Sequence, residues 1–218
     1  PAEYDAWDID LDDANSPAVS LVTATSARVV ESGPLRVVLE SVLTTASGSS
    51  TFVVRHVLEA GSSQLRMVLE ADWNERELRC QFVLPTAVFA RRAVCGTQFG
   101  HVERPRVANT SWDVAMFEVC AHRYVHISEP GLGVAIMADG PRGYDIRGDE
   151  LKLTLLRSPS FPDPNADAGR QRVEWSMAID DGSRSGLEVI AAQNAHPVRV
   201  LDGRPAVTSA GVRLVSDG

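Results

Sequence analysis

The sequence predicts an all-β protein built as a sandwich of antiparallel sheets. Apolar and polar residues alternate with period two in separate runs, which is typical of strands with one buried face. These runs lie at 65–71, 78–84, 151–155 and 173–179. No stretch of twelve or more residues repeats with the period of an amphipathic helix. Turn-forming residues separate the runs at short intervals, so many short strands are expected.

Further strands are predicted between these runs. Residues 35–44 and 51–58 have the β-branched content of strands. The run 116–127 alternates Phe117, Val119, Ala121, Val125 and Ile127, and predicts one more strand. Turn signals fall at 32–34, 60–62, 130–131, 140–141 and 202–203. Because the strands are too many for one small sheet, we expect two large packed sheets.

Composition indicates a globular protein with an acidic surface. The 218 residues carry a formal net charge of −8, and Lys152 is the only lysine. Nucleic acids and anionic membranes bind clustered basic residues, so the charge argues against both as partners. Three cysteines without a CxxC pair argue against a disulfide framework or a thiolate zinc site. We expect buried thiols at Cys80 and Cys120, and therefore a reducing, cytoplasmic location.

The chain is interpreted as one domain preceded by a short segment. Residues 1–20 are acidic and weakly patterned, and are predicted to be a connecting segment or an edge strand, with the β-sandwich domain at 21–218. The loop at 158–169 holds three prolines and is therefore not expected inside a central strand. The loop at 139–149 holds three glycines beside charged and aromatic residues. Such a loop can approach a ligand or simply make a tight connection, and both interpretations stay open.

A search for metal ligands finds one weak candidate. His122 and His126 are four residues apart, the spacing of zinc ligands on a helix. On the predicted strand, four residues span about 13 Å. Two ligands that each lie about 2 Å from one metal are far closer than that. We therefore expect no metal site here, and histidines that pack or hydrogen-bond on a sheet face.

A search for paired carboxylates gives no signature either. Glycoside hydrolysis usually needs two carboxyl groups flanking the scissile bond. The candidates by residue type alone are Asp113, Glu118, Asp139 and Asp145, and nothing in the sequence pairs them. Serine-nucleophile, phosphate-loop and dinucleotide motifs are absent from the sequence.

An ordered series of short motifs is more informative. The runs are DAWDID at 5–10, DWNE at 72–75, FGHVERP at 99–105, NTSWD at 109–113, FEVCAHRY at 117–124, SEPGLGVA at 128–135, GYD at 143–145, LLRSP at 155–159, PDP at 162–164 and ADAG at 166–169. Together they resemble the C-terminal β part of family 38 glycoside hydrolases, the α-mannosidases. The resemblance extends from about Tyr4 to Gly169. Val107 and Met116 depart from the histidine and arginine that members often have there.

The resemblance implies a fold and an activity. The implied fold is a β-supersandwich resembling galactose mutarotase. The implied activity of the whole enzyme is retaining hydrolysis of terminal α-mannosides with a divalent metal, usually zinc. The metal and the catalytic nucleophile are then expected in an upstream barrel of the same polypeptide, and the first residue, Pro1 rather than Met, agrees with truncation. We accordingly expect no catalytic residue and no metal in this fragment, which should be inactive alone and a possible homo-oligomer.

The resemblance also assigns roles to residues. Related enzymes lend a loop from this part to the rim of the catalytic pocket, and the candidates here are Asp139, Arg142, Tyr144 and Asp145. Arg142 is expected to hold a sugar hydroxyl or a carboxylate, and Tyr144 to offer a ring to the sugar. Residues of the motif that we expect to be architectural are Arg104, Asn109, Trp112, Asp113, Glu118 and Arg123. Trp112 is predicted to pack where its turn meets the sheet.

Two other functions remain open from the sequence. A stand-alone carbohydrate-binding module would bind mannose without the barrel. A mutarotase-like epimerase would need an acid–base pair within reach of the sugar, which His101 or His122 would have to form with Glu118.

Overall fold

The computed structural model describes Ile9 and residues 22–183, and their regular structure is almost entirely β-strand. One four-residue helix in this part of the chain, α1, spans Ser111–Val114. The strands are β1 (Val22–Ser32), β2 (Arg36–Thr45), β3 (Thr51–Glu59), β4 (Gln64–Trp73), β5 (Arg79–Pro85), β6 (Arg92–Gly96), β7 (His101–Pro105), β8 (Val119–Cys120), β9 (Tyr124–Glu129), β10 (Leu132–Asp139), β11 (Gly143–Asp145), β12 (Glu150–Arg157) and β13 (Gly169–Asp180).

The strands form two antiparallel sheets. The larger sheet has nine strands in the order β1-β2-β3-β4-β13-β10-β9-β6-β7, and the smaller has four in the order β5-β12-β11-β8. β13 lies between β4 and β10, so the last described strand occupies the middle of the larger sheet. The prediction of an all-β antiparallel sandwich is confirmed.

The main core lies between the two sheets, where the alternating positions of the sequence meet. Met67 and Trp175 of the larger sheet and Tyr144 and Leu153 of the smaller sheet belong to one buried cluster. The rings of Phe82 in β5 and Trp175 in β13 approach to 5.4 Å between centroids. This tilted contact bridges the two sheets with a large apolar area.

Strands β9 and β10 are buried on both faces. Val125 and Ile136 face the main core. Their neighbours Tyr124, Ala135 and Met137 point the other way and join a second buried cluster. This explains why residues 133–138 form a continuous apolar run rather than an alternating one.

The prediction of a single strand over 116–127 is wrong. Val119 and Cys120 form β8 in the smaller sheet, whereas β9 begins at Tyr124 in the larger sheet. The crossing between them is hydrogen-bonded on both sides. The Ala121 amide donates to the Arg142 carbonyl at 3.1 Å, and the His122 amide donates to the Gly96 carbonyl at 2.8 Å. Apolar and polar residues alternate on both sides of the crossing. The alternation alone therefore does not reveal that the chain passes from one sheet to the other.

The loops fall largely where the sequence placed them. The proline-rich loop lies between β12 and β13, and the predicted turns at 32–34, 60–62 and 130–131 each join two neighbouring strands. The turn at 202–203 and the segment 1–20, apart from Ile9, lie outside the described residues. No helix in the described part of the chain is long and apolar enough to cross a membrane.

The three cysteines are free thiols in different environments. Cys95 is buried in the main core, and Cys80 is half-buried. Cys120 is exposed, so the prediction of a buried thiol there is wrong. The reason is that β8 is the edge strand of the smaller sheet, and Cys120 alternates with the inward-facing Val119.

Candidate functional site at the junction of the two sheets

The loop singled out by the sequence carries the chain from one sheet to the other. β10 ends at Asp139 in the larger sheet, and β11 begins at Gly143 in the smaller. Gly140 has a φ of 127°, a conformation that side chains rarely adopt, so this corner requires glycine. The hydrogen bond from Ala121 to Arg142 ties this loop to the crossing at 121–123.

The four candidate residues of this loop have different environments. Asp139 and Arg142 are exposed and Asp145 is half-buried, but Tyr144 is only 1% exposed. Burial raises the pKa of the Tyr144 phenol, and its hydroxyl has no hydrogen-bond partner among the described residues. The ring therefore belongs to the core of this domain, and the loop presents charged groups to its surroundings.

Asp145 and Arg142 differ in how they are held. Asp145 Oδ1 accepts from the Arg147 amide at 3.1 Å, and its Oδ2 lies 3.5 Å from Lys152 Nζ. The Arg142 guanidinium forms no hydrogen bond or ion pair within the described part of the chain. It is therefore available to a ligand or to a neighbouring surface.

A groove of about 200 Å³ lies beside Arg142, and Glu118, Gly143, Thr154 and Asp167 also line it. Glu118 Oε1 accepts from the Thr154 hydroxyl at 2.5 Å and from the Gln81 amide at 3.4 Å. A Cβ at Gly143 would lie 2.6 Å from Glu118 Oε2. The missing side chain at 143 therefore makes room for this carboxylate beside Arg142.

Three of the four acidic candidates are held by hydrogen bonds to other groups of the domain. Asp113 caps α1, Glu118 binds Thr154 and Gln81, and Asp145 binds Arg147. The acid–base pair that an epimerase would need is therefore not formed between Glu118 and a histidine. Across Ile9 and residues 22–183, no three His, Cys, Asp or Glu side chains group as a metal site would require.

The two histidines of the candidate metal motif face different surroundings. His126, 2% exposed, lies 2.9 Å through Nε2 from Asp180 Oδ2 of β13. His122 lies in the crossing, with its Nε2 3.3 Å from Gln98 Nε2. The expectation of packing or hydrogen-bonding histidines describes both, although the argument from one continuous strand does not hold.

The NTSWD motif builds the start of α1. Thr110 Oγ1 accepts from the Asp113 amide at 3.1 Å, and Asp113 Oδ2 accepts from the Asn109 and Thr110 amides at 3.1 and 3.0 Å. This is a capping box, and its hydrogen bonds, that from the Thr110 hydroxyl foremost, lower the pKa of Asp113. The prediction that Trp112 packs against the sheet is wrong. Trp112 is 84% exposed, because α1 buries none of its four residues.

Arg106 is a structural residue that sequence reasoning missed. It is buried, and its guanidinium donates to the carbonyls of Ile146, Ala90 and Gly148 at 2.7, 2.9 and 2.6 Å. Burial lowers its pKa. These bonds fix the turn between β11 and β12, directly after the candidate loop. An arginine followed by an apolar residue in a loop gives no signal of this role.

Arg104 and Arg123 lie near the β7 edge of the larger sheet. Arg104 is in β7, and Arg123 immediately precedes β9. Both side chains are half-buried. Neither forms an ion pair with a described carboxylate, and Glu118 is not paired with Arg123.

Comparison with known proteins gives one consistent match. The profile of the glycosyl hydrolases family 38 C-terminal domain matches residues 1–165. Alpha-mannosidase 2C1 from Homo sapiens is 35% identical over 192 residues, which cover 88% of this chain and 18% of that protein. Alpha-mannosidase G from Dictyostelium discoideum is 33% identical over 192 residues, covering 86% of this chain and 17% of that protein. The chain thus spans under a fifth of these relatives.

Solved structures show the same fold at lower sequence identity. An alpha-mannosidase from Enterococcus faecalis V583 superposes with a TM-score of 0.68 at 14% identity, covering 78% of this chain and 23% of that structure. A GH36 alpha-galactosidase, AgaA from Geobacillus stearothermophilus, gives a TM-score of 0.51 at 11% identity, covering 82% of this chain and 30% of that structure. At these identities the likeness concerns the fold alone.

Proposed function

Because this chain belongs to the glycosyl hydrolases family 38 C-terminal domain family, we propose that it works as the C-terminal β domain of an α-mannosidase. In this proposal the enzyme hydrolyses terminal α-mannosides with retention of configuration, in mannose metabolism. The domain supports an upstream catalytic barrel, and its loop around Arg142 forms part of the rim of the barrel's catalytic pocket. Three free thiols support a cytoplasmic location for the enzyme.

The observation that carries the docking role is an exposed apolar patch around α1. The helix patch consists of Val107, Trp112, Val114 and Met116, each between 41% and 84% exposed. Val107 and Met116 line one crevice together with Asp113 of α1. Aromatic and large apolar residues clustered on a surface are typical of protein interfaces, and tryptophan is enriched among their strongest contacts.

The rim role depends on Arg142. Its guanidinium has no partner within the described residues and stands beside a groove that also holds Glu118. A planar guanidinium can donate two parallel hydrogen bonds to neighbouring sugar hydroxyls or to a carboxylate of the barrel. Asp139 and Asp145 flank it, and the buried Tyr144 anchors the loop in the core.

The divalent metal that the family resemblance implies does not fit the described residues of this chain. They offer no group of three potential ligands. We therefore derive no metal step from this domain, and assign the metal and the nucleophile of the proposed enzyme to its upstream part.

The docking role is tested with Trp112→Ala in the protein encoded by the complete reading frame. We expect faster proteolytic cleavage between barrel and domain, while the isolated 218-residue chain keeps its melting temperature. Leu35→Ala is the matched control, because Leu35 is 77% exposed beside β1, at the opposite edge of the larger sheet. Unchanged proteolysis of the Trp112 variant would contradict the docking role.

The rim role is tested with Arg142→Ala in the same complete protein. We expect a loss of about tenfold in kcat/KM on an α-mannoside, the size of one charge-assisted hydrogen bond. Arg91→Ala removes another exposed arginine outside the groove, and should leave kcat/KM unchanged. Equal kinetics for both variants would exclude contact between Arg142 and the sugar.

A carbohydrate-binding module is the second candidate, and the groove beside Arg142 is the observation that favours it. Calorimetric titration of the isolated chain with mannose distinguishes a carbohydrate-binding module from the mannosidase domain proposed above. Heat of binding that disappears in the Arg142→Ala variant would favour the module.

A further inference from the structure

We propose that one or more β-strands from the polypeptide upstream of this domain add to the free edge of β5 and cover an apolar overhang of the larger sheet. The overhang face consists of two cross-strand pairs, Val29 with Leu39 and Val37 with Leu58. All four side chains are between 39% and 59% exposed. The inference rests on the proposed function in one respect, that a longer polypeptide precedes this domain. It adds a contact by strand pairing to the docking of the helix patch.

The overhang face continues the side of the larger sheet that forms the core. One row of paired residues crosses five strands, from Val29 in β1 through Leu39, His56 and Met67 to Trp175 in β13. Paired residues of neighbouring strands lie on the same face of a sheet. Met67 and Trp175 are 1% and 5% exposed, whereas Leu39 and Val29 are 39% and 59% exposed. The cover therefore ends between β4 and β2, although the apolar row continues.

The smaller sheet stops short of the overhang. Phe82 of its edge strand β5 packs on Trp175 of β13, with ring centroids 5.4 Å apart. Trp73 of β4 donates from Nε1 to the hydroxyl of Ser158, directly after β12, at 2.8 Å. The opposite edge strand, β8, leads directly into β9. The smaller sheet thus covers the larger one from β9 to β4, and its β5 edge faces the side of β1, β2 and β3.

The opposite face of the overhang strands carries charged residues. Glu40 lies 3.0 Å from Arg28 and 2.9 Å from Arg55, and the Arg55 guanidinium also lies 3.0 Å from Glu70. Because side chains of a strand alternate between its faces, the apolar residues are left on the overhang face. A sheet with one polar and one apolar face normally packs the apolar face against another layer. An apolar face without such a layer indicates an interaction surface.

Strand β5 offers a backbone edge beside this face. It pairs with β12 and is the outermost strand of the smaller sheet. The Thr86 amide donates to the Asp149 carbonyl of the β12 side at 2.8 Å, and the register continues without a shift to the pair of Val83 with Lys152. The direction of hydrogen bonding alternates along an antiparallel strand, so the Val83 amide points away from β12. This donor is open to a further strand.

The occupant to which these observations point is the polypeptide that precedes β1. β1 is the first described strand and also the outermost strand of the overhang, whereas β13 lies in the middle of the larger sheet. The curated relatives match this chain over 18% and 17% of their length, which leaves enough polypeptide for further strands. Two copies pairing through β1 are disfavoured, because register shifts interrupt its ladder between Ala24 and Ser26 and between Val29 and Glu31.

The chemistry of the overhang face defines the strands that fit it. Its four residues are valines and leucines. A charged side chain placed against them would be buried without a partner, which is unfavourable. The fitting strand therefore alternates, with apolar residues toward the overhang and polar residues away from it.

Cysteine labelling measures the cover directly. Val29→Cys is made in a Cys120→Ser background, which removes the exposed native thiol. In the complete protein this cysteine should react with iodoacetamide at least about tenfold more slowly than in the isolated 218-residue chain, because a covered site reacts only after local opening. Ser26→Cys is the matched control, since Ser26 is exposed on β1 and lies two residues before Arg28 on the charged face. It should react equally fast in both proteins.

A second variant tests the pairing with β5. Val83→Pro removes the amide donor at the free edge, and Val83→Ala keeps it. In the complete Val29→Cys protein, the proline should speed labelling about tenfold, because the added strand loses a ladder hydrogen bond, and the alanine should not. In the isolated chain, Val83→Pro should keep the melting temperature within about 4 °C of wild type, since proline is tolerated on an edge strand whose amide faces away from its neighbour.

The outcomes separate this inference from its rivals and from the proposed function. Equal labelling of Val29→Cys in the isolated chain and in the complete protein would overturn the inference. Slow labelling already in the isolated chain would also overturn it, and would assign the cover to other residues of this chain or, if dilution speeds the reaction, to a second copy. Protection that Val83→Pro leaves unchanged would exclude pairing with β5. The mannosidase activity of the complete wild-type protein tests the proposed function alone.

Discussion

Arg106 donates from Nε to the carbonyl oxygen of Ile146 over 2.7 Å, and so joins the end of β7 to the turn that follows β11. The same guanidinium bonds Gly148 and Ala90. One buried side chain therefore satisfies three loop carbonyls that no sheet ladder reaches. This fixes the turn between β11 and β12, which follows the loop that carries Arg142.

Replacing Arg106 by Ala should lower the free energy of unfolding by about 3 kcal/mol, because three loop carbonyls lose their charged donor. Arg106→Lys keeps the charge but not the forked geometry, and should recover only part of the loss. Urea unfolding of the isolated chain measures both. Arg91→Ala is the control and should stay within about 0.5 kcal/mol of wild type. An Arg106→Ala variant as stable as wild type would contradict the role of this residue.

Gly143→Ala should destabilise the chain by about 1–3 kcal/mol, because the new Cβ would lie 2.6 Å from Glu118 Oε2. In a Glu118→Ala background the same substitution should cost much less, since the obstructing carboxylate is gone. A double-mutant cycle by urea unfolding gives the coupling, which we expect to exceed about 1 kcal/mol. Additive effects of the two substitutions would mean that Glu118 does not occupy the space above Gly143.

Cys120 should be the thiol of the native chain that reacts first with iodoacetamide at pH 8. It is exposed, whereas burial raises the pKa of Cys80 and of Cys95 to about 11, so their thiolate fractions stay small. Mass spectrometry of the native chain should find one modified cysteine, and three after unfolding in urea. The pKa values of Cys80 and Cys95 are raised in the folded state. The folded chain should therefore lose stability as the pH rises above 9, the ordinary pKa of a cysteine thiol. Rapid native labelling of Cys80 or Cys95 would contradict their burial.

Glu40→Gln should destabilise the chain at neutral pH and have less effect in acid. Glu40 accepts from Arg28 at 3.0 Å and from Arg55 at 2.9 Å, and these hydrogen bonds, that from Arg28 first, lower its pKa. A lowered pKa contributes stability above the ordinary value of 4.5, and this contribution is lost as the pH falls through the folded-state value. The difference in unfolding free energy between variant and wild type should therefore shrink below pH 4.5.

Glu103→Gln provides the control for this titration. Glu103 forms an exposed ion pair with Arg92 at 2.9 Å, and such surface pairs contribute little. Its substitution should change the stability only slightly. A difference between the Glu40 variant and wild type that persists unchanged at pH 3 would show that the ion pairs are not its source.

The sequence by itself determined the fold class, the family and most strand positions. Apolar and polar residues alternate at 65–71 and 173–179, which indicates a strand with one buried face. This holds whichever strands lie beside it, because the side chains of a strand alternate between its two faces. The motif NTSWD is also independent of the rest of the chain, because its capping box uses only hydrogen bonds within five residues. Local rules of this kind need no knowledge of the rest of the chain.

Tertiary structure alone decided which strand joins which sheet and which side chains reach the surface. The crossing between Cys120 of β8 and Tyr124 of β9 leaves the alternation intact, so the sequence predicts one strand there. Trp112 is exposed and Tyr144 buried, contrary to what their motifs suggested, because exposure depends on what lies opposite in space. Arg106 acquires its role from carbonyls about forty residues further along the chain, and no local pattern encodes partners at that separation.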